Sequence, residues 1–142
     1  MTGVRILLDN SAIQKIAFFE SVTRVNLKDC IDEDEDITFV LKAGDFRKAF
    51  GNKGANLRVL EKKFNKRIIF LEFDHDPKKF AQNLLKPIQV KSVELVPKDD
   101  NSTIMHIMIN TSQRAFPSKK VKKTKTLLMK YFPNIVDVIV KV

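Results

Sequence analysis

One cysteine is all this chain has, at position 30. A lone thiol closes no intramolecular disulfide and is too little for a thiolate metal site, so Cys30 is expected to be a small buried side chain. Histidine is nearly as scarce. His75 and His106 fall in different predicted elements, leaving no Cys/His or Ser/His/Asp set to assemble, and no Walker-type phosphate loop is present. The longest apolar runs, such as 67–72, are of strand length, too short to cross a bilayer. Residues 1–9 carry no long apolar leader, so the chain is expected to be soluble and cytoplasmic, and the glycosylation matches at Asn101 and Asn110 are chance. These absences predict no enzyme, no cofactor, no bound metal, no membrane partner and no small-molecule substrate; a basic nuclease using Asp74 and His75 is the residual enzymatic alternative.

Acidic residues are missing where they would matter most. The chain holds 26 Lys+Arg against 17 Asp+Glu, a net charge of +9. Through His75 the basic and acidic residues number 13 and 12, and from Asp76 onward 13 and 5, so eight of the nine excess charges lie in the second half. Residues 101–136 contain no acid at all, while Arg114, Lys119, Lys120, Lys122, Lys123, Lys125 and Lys130 crowd into that stretch. Such an imbalance favours a polyanionic partner, nucleic acid ahead of an anionic membrane surface.

What is present suffices for folded units. The 142 residues are 44% apolar with eleven Phe, enough for one ordinary domain or two small ones. Ser11 and Gln14 read as a capping box for a helix to about Val22. Alternation over 24–31 and the β-rich stretch 36–42 read as a hairpin joined by the acidic turn 32–36. That turn lacks the spacing of a calcium loop and is expected to be solvated. Asp45 is placed to cap a short helix, 46–50, ended by Gly51-Asn52-Lys53-Gly54. Leu57, Leu60 and Phe64 give the following helix its apolar face, and 67–73 is a strand.

From Asp76-Pro77, an N-cap followed by proline at the first helical position, the order starts over. A helix closes at Pro87, two strands (88–96 and 103–110) flank the turn 97–101, and a short helix capped by Ser112 runs to Phe116. Pro117 and Ser118 break it, a helix covers 121–132, and a strand covers 135–142. His106, in a strand of alternating apolar residues, is expected to face solvent or a neighbour. In this register Gly51-Asn52-Lys53-Gly54 falls opposite Pro117-Ser118-Lys119-Lys120, so both glycines are lost in the second copy. Glycines at 51 and 54 tolerate positive φ and carry no Cβ, which leaves room for a sugar-phosphate chain to approach the backbone, with Lys53 as a cation at the tip.

A helix, two strands, two helices around Gly-x-x-Gly and a closing strand resembles the type II KH layout, and two such units in tandem resemble the archaeal NusA-like transcription factors. The likeness is carried by Thr23-Arg-Val-Asn-Leu-Lys-Asp-Cys30, by Lys48-Ala-Phe-Gly-Asn-Lys-Gly-Ala-Asn56, and by Asp76-Pro-Lys-Lys-Phe80 with Asn83-Leu84 and Pro87. It implies an α+β chain of two tandem KH domains, 1–75 with an intact loop and 76–142 with a degenerate, lysine-rich one. It also implies single-stranded RNA binding, with the backbone clamped by Gly51, Asn52, Lys53 and Gly54 and flanked by Lys48, Asn56 and Arg58. In the second unit Arg114, Lys119, Lys120, Lys122 and Lys123 are the candidate RNA contacts, adding charge rather than register. The expected molecule is a monomeric, rigid tandem acting in transcription elongation, termination or antitermination, with RNA polymerase as a second candidate partner. The alternatives are a KH-fold module that binds protein and an RNA-binding protein of ribosomal RNA processing.

Overall fold

The computed structural model of the chain describes residues 10–110 and 118–142, with side chains in the first helix described from Ala12 onward. Two units separate, Met1–Phe73 and Asp74–Val142. The first contains α1 (Asn10–Thr23), β1 (Leu27–Asp32), β2 (Asp36–Leu41), α2 (Phe46–Phe50), α3 (Ala55–Phe64) and β3 (Arg67–Glu72). Its sheet runs β1-β2-β3, with β2 antiparallel to β1 and parallel to β3. A parallel pair needs a long crossover, and the two helices and glycine loop between β2 and β3 provide it.

Ile37, Phe39 and Leu41 point from β2 into a core shared with Phe19, Val25, Ala49, Leu60 and Ile68. Phe18, Leu57, Phe64 and Phe70 pack on its margin, and the Phe19 and Phe39 rings lie 4.6 Å apart. The apolar face expected of α3 is therefore the one that meets the sheet.

Three details depart from the sequence reading. Ser11 lies inside α1, so it is a helical residue rather than a cap. Arg24, at φ 58°, ends that helix in the left-handed region, and β1 begins only at Leu27. Between Leu27, opposite Leu41, and Asp29, opposite Val40, β1 carries a bulge. An extra residue reverses which side chains face inward. Leu27 and Cys30 therefore both pack on the core, where simple alternation would have sent Asp29 inward.

The acidic turn is more than solvated charge. Asp32 pairs with Lys15 of α1 at 2.9 Å and with Lys66, just after α3, at 2.8 Å. The Lys66 ammonium also donates to the Glu33 carbonyl, so the turn is tied to both helices. Its hydrogen bond from Lys66 is the main reason the Asp32 carboxyl titrates below its ordinary value.

The second unit contains α4 (Pro77–Leu85), β4 (Val90–Pro97), β5 (Thr103–Ile109), α5 (Ser118–Tyr131) and β6 (Ile135–Lys141). Asp76 caps α4 as expected, accepting from the Lys78 amide at 3.0 Å with Pro77 behind it. The sheet β4-β5-β6 repeats the mixed pattern of the first, including a bulge early in its first strand, between Val90 and Ser92. Met105, Ile107 and Ile109 are buried together with Phe80, Leu84, Leu127 and Leu128. His106 takes the alternate position along β5, half-buried and opposite Glu94 and Ile139. Two three-stranded mixed sheets packed on helices make the chain α+β, the architecture of two tandem KH-type units. The short helix expected from Ser112, and Arg114 with it, lies outside the described residues.

Burial, with Asp32 and Asp29 nearby, pushes the Cys30 thiol from an ordinary 9.0 up to about 12. The folded chain should therefore resist alkylation by iodoacetamide at pH 8 and react only when denatured, as mass spectrometry would record. Because the folded value is raised, this thiol's contribution to stability is complete below pH 9 and is lost as pH rises from 9 towards 12. Cys30→Ser should show a shallower alkaline fall in thermal stability than the native chain.

Candidate nucleic-acid interface

α2 is a single five-residue helix with Arg47 and Lys48 exposed in its last turn and Ala49 buried. Asp45 stands at its N-cap position without a side-chain cap; only its carbonyl takes part, accepting from the Ala49 amide at 3.0 Å. Gly51 ends the helix, its amide donating to the Arg47 carbonyl at 3.1 Å. The backbone then turns through Gly51 (φ 80°, ψ −179°), Lys53 (φ 54°, ψ 32°) and Gly54 (φ 75°, ψ 22°) before α3 starts. The Gly51 conformation is essentially closed to residues with a Cβ, and the left-handed one at Gly54 is costly for them. Glycine at both positions is a demand of the bend itself.

The space those glycines leave is taken by the protein. A Cβ on Gly51 would stand 2.9 Å from the Asn56 side-chain amide, and one on Gly54 would stand 3.0 Å from the Phe50 ring. The missing side chains therefore face inward, and the outer surface of the bend consists of Asn52 and Lys53, both exposed. Asn56 Nδ2 donates to the Lys48 carbonyl at 3.4 Å, and an Arg58 guanidinium nitrogen donates to the Lys53 carbonyl at 2.7 Å. Sequence reasoning placed Asn56 and Arg58 beside the ligand. In the structure both brace the loop, a use of a polar residue after a turn that spacing alone does not reveal.

Charge is segregated along α3. Arg47, Lys48, Lys53 and Arg58 are exposed around its start, and its first turn contains no acid, so the positive end of the helix dipole adds to the side-chain charge. The acidic turn sits at the far end, where Asp34 and Glu35 meet Glu61, Asn65 and Lys66 around an open depression. Ten helical residues, about 15 Å, separate that turn from the loop, so its carboxylates do not neutralise the loop locally.

In the second unit Ser118, Lys119 and Lys120 are helical, so α5 starts earlier than expected and no loop occupies 118–120. With both glycines gone, none of these residues provides the positive φ that breaks a helix. Lys119 and Lys122 are exposed, whereas Lys120 and Lys123 are half-buried. The Lys120 ammonium donates to the Lys86 carbonyl. Lys125 is held by Asp137 at 2.7 Å. Four lysines in the first two turns of a helix with no acid in its first turn work against the helix dipole, a cost that a bound anion would relieve.

Lys48, Gly51, Asn52, Lys53, Gly54, Asn56 and Arg58 thus gather on one helix-turn-helix, and Lys119, Lys120, Lys122 and Lys123 on the start of α5. Arg114 lies outside the described residues. Among the described residues no three His, Cys, Asp or Glu come together to hold a metal, and no helix is long and apolar enough to cross a membrane.

No protein-family profile matches the chain. Archaeal proteins named "Probable transcription termination protein NusA" do. The one from Methanocaldococcus jannaschii is 34% identical over 110 residues, covering 78% of this chain and 60% of the relative. The one from Methanococcus vannielii is 34% identical over 111 residues, covering 78% and 64%. That from Halobacterium salinarum is 30% identical over 94 residues, covering 66% of this chain and 68% of the relative. The chain thus spans somewhat less than two thirds of the two methanogen proteins it matches. The crystal structure of APE1850 superposes with a TM-score of 0.72 at 20% identity, covering 94% of this chain and 99% of that one, a likeness of fold. Fold, glycine loop and relatives together place the chain in the family of archaeal NusA transcription termination proteins.

Proposed function

We propose that this protein is a transcription termination factor that binds single-stranded RNA at the Gly51–Gly54 bend of its first unit, without performing chemistry on it. The observation that carries this reading is the bend itself. An internally braced turn presents Asn52 and Lys53 outward at the positive end of α3, with Lys48, Arg47 and Arg58 exposed around it and the acidic turn of residues 32–36 at the far end of that helix. Phosphates meet cations and helix-start amides there, while a base can turn towards the apolar side of α2. Nascent transcript is the polyanion that a termination factor meets, and RNA polymerase is the second partner of this reading. In the second unit Lys119, Lys120, Lys122 and Lys123, joined by Arg114, supply sequence-independent attraction.

Three outcomes follow. Lys53→Glu combined with Asn52→Asp should weaken binding of a single-stranded oligoribonucleotide about tenfold or more with unchanged thermal stability, since both side chains are exposed. Gly51→Ala or Gly54→Ala should instead cost the first unit about 1–3 kcal/mol of stability through backbone strain, so these variants are read by thermal unfolding rather than by affinity. Replacing Lys119, Lys120, Lys122 and Lys123 with Gln should weaken all oligoribonucleotides alike and flatten the salt dependence by about 0.7 for each phosphate no longer neutralised. Weakening confined to particular sequences would assign base reading to the second unit.

A further inference from the structure

The aromatic residues of α2 are spent unevenly. Phe50 is half-buried, and its ring lies against Gly54, filling the place of the absent Cβ. Phe46, one turn earlier on the same face, stacks on Phe50 with ring centroids 5.6 Å apart and planes only 15° from parallel. It also makes a T-shaped contact with Phe70 of β3, with centroids 6.3 Å apart and planes at 82°. Even so, 39% of Phe46 remains exposed. More than a third of an aromatic side chain that already stacks on one ring is thus left to solvent.

The setting of that ring gives it meaning. A scattered exposed aromatic needs no explanation. This one is held between two other rings, and it is followed in sequence by the exposed cations Arg47 and Lys48 and preceded by the half-buried Asp45. It also lies in a continuous column from Gly54 through Phe50, about one helical turn from the ring that supports the bend. A polynucleotide whose phosphate sits at Asn52 and Lys53 can lay an adjacent base along α2, where an exposed apolar ring stands next to Arg47. An acidic peptide would meet the cations but has no planar group for the ring, and an aliphatic one would be repelled by none of them yet gain nothing from them.

We propose that Phe46 is a base-stacking platform, taking the nucleobase of a nucleotide next to the one whose phosphate is held at the bend. The inference rests on the RNA-binding reading above and adds to it a second, uncharged recognition element. Stacking on a ring is tolerant of base identity, so Phe46 contributes affinity and register for unpaired RNA and discriminates against duplex, whose bases are already stacked.

The test uses the full chain and two probes, a single-stranded oligoadenylate and an abasic ribose-phosphate oligomer of equal length. Phe46→Ala should weaken oligoadenylate binding about fivefold or more, the loss expected for one unstacked base, and leave the abasic probe within about twofold. Lys53→Glu should weaken both. The chain has no tryptophan and one tyrosine, so Phe46→Trp installs a single tryptophan at the platform, excited selectively at its red edge. Its emission should be quenched saturably by oligoadenylate and not by the abasic oligomer, a readout that stands even if Phe46→Ala fails to fold. Equal losses of Phe46→Ala on both probes, or an unquenched tryptophan while Lys53→Glu still abolishes binding, would overturn the platform and leave RNA binding at the bend intact. If neither Lys53→Glu nor Phe46→Ala alters either probe, the RNA-binding reading falls and the platform falls with it.

Discussion

A backbone bend that only glycine can make easily is the constraint on which the first unit's surface depends. Gly51 and Gly54 let the chain leave α2 and enter α3 within four residues, and the inward hydrogens of those glycines admit Asn56 and Phe50. Asn56 then satisfies a carbonyl at the end of α2, Arg58 satisfies the carbonyl of Lys53, and the tip is fixed by the protein's own groups. Such pre-organisation matters for a weakly specific binder, because ordering a floppy loop on binding would consume much of what a few phosphate contacts yield.

The second unit shows what remains of the same scaffold without that constraint. Its mixed sheet and its early bulge repeat those of the first unit, yet Ser118 to Lys120 are helical. Lysines replace geometry. In the function proposed above, a helix that opens on four lysines would attract a polyanion over a Debye length without setting register, and the braced bend would set register with few charges. On that proposal one unit captures and the other positions, a division that would follow from the absence of two glycines.

Much of this was legible from the residues. The limits of α2, the Asp76-Pro77 start of α4 and the apolar face of α3 follow from local chemistry, caps and periodicity, and the structure reproduces them. The bulge in β1 did not show, because an inserted residue leaves the composition of the strand unchanged and only pairing reveals it; Cys30 packs on the core as its residue type led one to expect, where the alternation alone pointed to Asp29. The loop was legible as a turn with Lys53 as the exposed cation at its tip, but the room expected beside its glycines is, on the side a Cβ would occupy, taken by Asn56 and Phe50. Hidden from sequence were the supports of the bend, Asn56 and Phe50 on its inward side and the exposed Arg58 on the Lys53 carbonyl. Those contacts depend on φ and ψ at Gly51 and Gly54, which a string of letters does not specify. Asp32 likewise read as solvated, since its partners Lys15 and Lys66 are remote in sequence.

The most direct test is residue-by-residue amide chemical shifts of the isotopically labelled chain, recorded while a short single-stranded oligoribonucleotide is added at physiological salt. The account predicts that the largest changes fall on Asn52, Lys53, Gly54 and the first turn of α3, with smaller, salt-sensitive changes at the start of α5. Changes confined to the lysines of α5, with the amides from Gly51 to Arg58 unmoved at saturation, would contradict it.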